Sequence, residues 1–201
     1  GALDVRIELP EGHESLNVVI PWNDELFNYT SKHQARPATG QLTVGDRRWR
    51  IGGDGSDAWG VLDVGRGRWP AEIAWNWGGG AGRCGDHVVG LQFGAKWTEG
   101  SGYTENGVIV DGRLTKLGRE LDWSYDWDEP LTPWRVVDPG GQLDVTLVPR
   151  YDKHTKLPGR DQGSETHQVF GTWSGRLRSD DGIELEVHDL QGFAEEARQE
   201  W

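Results

Sequence analysis

The sequence predicts an all-β protein, an antiparallel meander whose strands close or nearly close into a barrel. Three observations carry that expectation. Apolar residues alternate with period two along most of the chain, the pattern of a strand that buries one face. Turn signals interrupt the alternation repeatedly, supplied by 30 glycines and nine prolines among 201 residues. Twelve tryptophans concentrate the apolar volume in a few bulky side chains, which favour pleated surfaces. With almost no helical pattern to cover a sheet face, closure is the economical way to remove exposed edges, and a two-sheet sandwich is the alternative.

The elements follow in order. Leu3 to Leu9 alternates Leu3, Val5, Ile7 and Leu9, and Ser15 to Pro21 carries Leu16, Val18 and Val19; both read as strands. Gln41 to Val44 and Arg48 to Ile51 flank a Gly45-Asp46 turn. An apolar strand, Ala58 to Leu62, leads into Asp63 and a glycine-rich turn. Asp86 to Trp97 places Val89, Leu91, Phe93, Ala95 and Trp97 on one face, with Gly90, Gln92 and Gly94 on the other, where glycines admit a sharp bend or a second backbone. Asn106 to Val110 and Arg113 to Leu117 flank Asp111-Gly112, a strong hairpin signal because this pair tolerates positive φ. Further hairpins join Trp134 to Val137 with Gln142 to Val148, and Gln168 to Arg178 with Ile183 to Asp189. Lys153 to His167, polar throughout, reads as the longest exposed loop. Gly192 to Trp201, with Phe193, Ala197 and Trp201 at four-residue spacing, is the one candidate helix, or else an extended tail. A chain of this length fits one domain, residues 1–201.

Composition excludes several function classes. The 21 basic and 33 acidic residues leave a net charge of −12, which opposes nucleic acid as a partner, since phosphate contact needs a basic patch. No apolar run reaches membrane-span length and no signal-peptide pattern is present, so a cytoplasmic location is expected. Cys84 stands alone, which rules out an internal disulfide and fits a reducing compartment. The Gly-Ala start and the lack of methionine point to an excised fragment, with an upstream domain of the same protein as a possible partner. The six histidines show no two-histidine spacing of the metalloprotease or zinc-finger kind, so neither a metal nor a cofactor is expected.

The chemistry-bearing residues gather between Phe27 and Gly82. Tyr29, Lys32, His33, Asp63, Arg66 and Asn76 stand among Trp59, Trp69, Trp75 and Trp77, a mixture of aromatic walls and a few polar groups that suits a ligand pocket. Asp63 either sits in an apolar pocket with a raised pKa and protonates an alkene or carbonyl, or caps the amides of Gly65 and Gly67. His33 beside Tyr29 is either a proton shuttle or a structural imidazole bonded to backbone. Trp75 and Trp77 share one face and Asn76 takes the other. The indoles then line the cavity or serve as outer packing. Glu105 and Asn106 either bring a second carboxylate to the barrel mouth or form a solvated turn. Paired carboxylates also admit glycoside processing.

The order of the blocks FNYTSKH, PATGQLTV, DVGRGRWP, WNWGGG, TENGVIVDG, PWRV and FGTWSG, ending in an acidic segment at Trp201, resembles the bacterial family known as domain of unknown function 2804. The resemblance covers Leu26 to Trp201 and marks the chain as the C-terminal portion of a longer protein. It implies a lipocalin-like, calycin-like barrel, more distantly related to carotenoid hydratases and tocopherol cyclases, and it brings no established reaction. Three readings follow. The first is an enzyme in which Asp63, assisted by His33 and Tyr29, drives acid-assisted hydration, cyclisation or isomerisation of a small hydrophobic, isoprenoid-like molecule. The second is a non-catalytic binder of such a molecule, and the third a structural half-domain. The enzyme reading requires a hollow interior with Asp63 and His33 both facing inward.

Overall fold

The computed structural model describes residues 1–53, 56–159 and 161–201. Among them are fourteen strands, arranged in two antiparallel sheets, and no helix.

The smaller sheet is organised by one long strand, β3 (Phe27–Val44). Its first half pairs with β2 (Leu16–Pro21) and β5 (Trp59–Arg68), and its second half with β1 (Ala2–Ile7) and β4 (Arg47–Ile51). The larger sheet adds β6 (Glu72–Cys84), β7 (His87–Ala95), β8 (Asn106–Val110), β9 (Arg113–Leu117), β10 (Asp122–Ser124), β11 (Trp134–Val137), β12 (Leu143–Leu157), β13 (Ser164–Arg178) and β14 (Glu184–Glu200). Its nine strands run in the order β10-β11-β12-β13-β14-β6-β7-β8-β9.

Most hairpins fall where the turn chemistry puts them. Asp111 and Gly112 adopt φ of 50° and 83° between β8 and β9, the double positive φ that a two-residue turn demands. The alternation in β7 is kept as well: Val89, Leu91 and Phe93 join the apolar core.

That core explains the curl of the large sheet. Val108 and Leu117 near one end of the ladder and Trp134 and Val136 near the other belong to a single buried cluster with Phe93, Leu147 and Trp173, so the sheet bends around its own apolar face into a barrel-like half-cylinder. The curled space is packed rather than hollow. The cavity described below lies on the opposite face, between the two sheets, where β3 crosses β6 and β7.

Three local expectations are corrected. Gly192 to Trp201 is not a helix, because its backbone is paired on both sides, with β13 and β6; coiling it would strip two ladders of their partners, which outweighs a four-residue apolar spacing. Lys153 to His167 is not a loop either. Lys153 to Leu157 ends β12 and Ser164 to His167 begins β13, with only a short connection between them; His154 lies opposite His167 and Thr155 opposite Thr166, and the alternation is invisible because polar residues occupy both faces, while residue 160 of that stretch lies outside the described residues. The glycine-rich turn after Asp63 is continuous strand. At Gly67 a Cβ would sit 2.1 Å from the Phe27 carbonyl oxygen, so glycine there lets β5 press against β3.

Candidate functional site

Alternation along β3 decides which of its side chains reach the space between the sheets. Asn28, Thr30 and Lys32 point inward and line a cavity of about 590 Å³, while Tyr29, Ser31 and His33 take the other face. Asp63 arrives from β5, directly opposite Lys32 in the pairing register. It accepts hydrogen bonds from Lys32 Nζ at 2.8 Å and Thr30 Oγ1 at 3.0 Å, so it is held by side chains of the neighbouring strand rather than by the amides of Gly65 and Gly67.

The far wall is aromatic. Trp75 and Trp77 of β6 line the cavity together with Trp69 and Trp97. Trp69 stacks on Trp97 at 5.7 Å and leans on Trp75 at 5.8 Å, and the ammonium of Lys32 lies 4.3 Å from the Trp77 ring centre. Such a cation over an indole is attracted by the ring quadrupole. Asn76 faces away, as its position between two cavity-lining indoles requires, and donates to Tyr125 Oη and the Glu195 carbonyl.

Two further carboxyl groups complete the chamber. Glu105 precedes β8 and is only 1% exposed. Its Oε1 accepts the Trp97 indole N–H. Its Oε2 is buried with no hydrogen-bond partner among the described residues, although Lys32 Nζ stands 3.4 Å away. Burial pushes this carboxyl above its ordinary value, and the nearby Lys32 charge offsets only part of that. The site exists because residue 94 is glycine: a Cβ there would lie 2.1 Å from Glu105 Oε1. Behind Glu105, burial lowers the Lys116 ammonium to about 8. Glu195 on β14 is likewise raised by burial, but both its oxygens are engaged, by Trp75 Nε1 at 2.8 Å and Gln168 Nε2 at 2.6 Å.

The structure therefore gathers Asp63, Glu105, Lys32, Arg66, Trp69, Trp75 and Trp77 around one cavity. It does not bring Tyr29 or His33 there, and the curl of the large sheet is filled by apolar side chains, so the expected arrangement of Asp63 assisted by His33 and Tyr29 inside a hollow barrel does not hold. Tyr29 Oη donates to Asn17. His33 Nδ1 accepts from Arg36 Nη2 at 2.9 Å and its Nε2 bonds Ser31 at 3.0 Å, so both ring nitrogens are committed on the outer face. Burial, then the Arg36 charge, holds this imidazole below 6.5. Trp59 lines a separate hollow with Pro37. Asn106 is a structural pin, accepting the Gly94 N–H and donating to the Arg119 carbonyl. Glu195, Thr30 and Trp97 were not singled out from sequence. Glu195 was masked by the helical reading of its segment; read as a strand, its alternation with Phe193 and Ala197 would have placed it beside them.

The family model described as domain of unknown function (DUF2804) matches residues 2–201, and the chain belongs to that family. The curated proteins give no match. Among solved structures, the fold is similar to the crystal structure of kievitone hydratase from Nectria haematococca, with a TM-score of 0.52 at 13% identity, covering 100% of this chain and 69% of that one. At that identity the likeness concerns the fold. Among the described residues no helix is long and apolar enough to cross a membrane.

Proposed function

We propose that this member of the DUF2804 family hydrates a carbon–carbon double bond of a small hydrophobic substrate held against the indole wall, with Glu105 as general acid and the Lys32–Asp63 pair as the group that receives a proton from water. The observation that carries this reading is the buried Oε2 of Glu105, which has no hydrogen-bond partner among the described residues and only the Lys32 ammonium, 3.4 Å away, beside it. Burial raises the pKa of this carboxyl and so favours its protonated form, although the Lys32 ammonium opposes part of that shift. Glu195 is a poorer donor, since both its oxygens already accept hydrogen bonds.

The step balances as follows. Glu105 transfers its proton to one alkene carbon, water adds to the other, and the proton that water loses passes to Asp63, whose carboxylate is already oriented by Lys32 and Thr30. The proton taken up by Asp63 returns to Glu105 through the Lys32 ammonium, which stands 2.8 Å from Asp63 Oδ2 and 3.4 Å from Glu105 Oε2 and can pass one proton on as it accepts another, so the acid is restored. Indole faces flank the position where positive charge develops and favour it. A fold shared with a hydratase is consistent with this chemistry but remains an analogy.

The test is incubation of the protein with a panel of isoprenoid-like alkenes in isotopically labelled water, with mass detection of label in an alcohol product. Glu105→Gln and Asp63→Asn are expected to retain binding and abolish incorporation. Binding by all three proteins with no incorporation by the wild type would instead identify a carrier of hydrophobic molecules, and label incorporation that survives Glu105→Gln would remove that residue as the acid.

A further inference from the structure

Spacing along the chain gives the histidines no metal-binding pattern, but the β12–β13 pairing places His154 directly opposite His167. Their rings stack with centroids 4.1 Å apart and planes within 9°. Glu165, two residues before His167 on the same strand, shares that face, and its Oε1 lies 2.8 Å from His154 Nε2. One ligand atom from each of the three residues falls within 4.8 Å of the others. We propose that His154, Glu165 and His167 form a binding site for a divalent transition-metal ion of the zinc type, with Asp152 orienting His167.

The donor set fits that class of ion. Two imidazole nitrogens and one carboxylate oxygen suit zinc and its neighbours, and three protein ligands leave a fourth position for water. Zinc–nitrogen distances of about 2.0–2.1 Å in a tetrahedral shell place ligand atoms roughly 3.3 Å apart, so atoms at the 4.8 Å limit must close by roughly 1.5 Å, with the stacked His154 and His167 rings turning so that their lone pairs converge. Asp152 Oδ2 is 2.8 Å from His167 Nδ1. A hydrogen bond there fixes the tautomer and leaves Nε2 with its lone pair, the carboxylate–imidazole arrangement that supports metal-bound histidines. Asp152 Oδ1 is buried and has no hydrogen-bond partner among the described residues, so that carboxylate has unused acceptor capacity. Trp127 packs edge-on against His167 at 4.6 Å and restrains the ring.

Competition from neighbouring charge is limited. Lys156 contacts the other carboxylate oxygen of Glu165, at 3.2 Å, leaving Oε1 for the ion. Arg198 is engaged over Trp127 and with Glu196. The ion would take the place of the direct His154–Glu165 contact. The site is distinct from the indole-walled cavity, because Thr155, Thr166 and Gln168 occupy the opposite face of the same hairpin. Bound metal would nonetheless stiffen the hairpin from which Gln168 holds Glu195.

The experiment is titration of the metal-free full chain with zinc by calorimetry and with cobalt(II) by visible absorption. One ion per chain is expected. His154→Ala and Glu165→Gln, both at accessible positions, should each weaken binding at least tenfold, Asp152→Asn about tenfold, and His188→Ala should have no effect. Absence of stoichiometric binding by the wild type, or equal affinity in the wild type and His154→Ala, would overturn the site.

Discussion

The two faces of the nine-stranded sheet are built from the same strands but are held by opposite physics. Toward its curled interior the sheet presents Phe93, Leu147, Trp134 and Trp173, all fully buried in one apolar cluster. Toward the smaller sheet it presents Trp75, Trp77 and Glu195, and there indoles surround an open cavity containing Lys32 and three carboxyl groups. The first face gains stability from close packing. The second gives some of it up, keeping titratable groups in poorly solvated positions where burial raises the carboxyls of Glu105 and Glu195. Tryptophan content alone therefore says nothing about role; the neighbours of each ring decide.

Truncating one tryptophan on each face sharpens that contrast most. Trp173→Ala removes a fully buried ring whose indole N–H also donates to the Gly79 carbonyl, and a loss of about 3–5 kcal/mol is expected from the transfer and cavity costs together. Trp75→Ala enlarges a space that is already open, so less than about half that loss is expected, accompanied by weakened binding of an apolar ligand. Denaturant titration of both variants measures the pair. Equal losses would mean that the two faces are energetically alike.

Gly94→Ala tests how tightly the chemical face is tailored. The added methyl must displace Glu105, whose Oε1 would stand 2.1 Å from it, and overpacking of this kind costs about 1–3 kcal/mol. Thermal unfolding reads the cost, and a labelled-water assay reads whether the acid role proposed for Glu105 is lost. A fully active, equally stable variant would show that Glu105 has room to move and is not held in one position.

The raised carboxyl of Glu105 gives the pH dependence a sign. Its folded pKa lies above the ordinary 4.5, so between those two values the folded chain binds a proton that the unfolded chain has released. Stability from this group is intact below about 4.5 and is lost as pH rises through the folded pKa. Glu105→Gln has no such proton to lose. Its stability relative to the wild type should therefore climb as pH rises above 4.5, measured as the difference in denaturation midpoints; a flat difference across that range would place Glu105 in an ordinary solvated environment.

What could be read from sequence follows the same division. The core face was legible, since the alternation of Val89, Leu91 and Phe93 and the Asp111-Gly112 turn are local patterns with one physical meaning each. The cavity face was legible in part. Lys32, Asp63 and the Trp75–Trp77 pair stood out by residue type, but Glu195 reaches them only through the pairing of β14 with β6, a contact between segments far apart in the chain. The polar β12–β13 hairpin was not legible, because alternation carries no signal where both faces are hydrophilic.

His33 gives the smallest effect and the most direct test of how faces are assigned. It neighbours Lys32 in sequence, and proximity alone suggested a shared site. Side chains in a strand alternate, however, so adjacent residues are the ones least able to meet. The ring bonds the buried Ser31 and Arg36 on the face of β3 turned away from the cavity, and His33→Ala should cost about 0.5–1.5 kcal/mol, the usual range for a hydrogen bond. Ligand binding in the cavity should be unchanged, whereas Lys32→Met, one position earlier, should disrupt it by leaving the carboxyl groups of Asp63 and Glu105 in the cavity without the ammonium that stands between them. Calorimetric titration of both variants with one apolar ligand decides the matter: if His33→Ala abolishes binding as completely as Lys32→Met, the two residues share a face and the inward set on β3 is wrong.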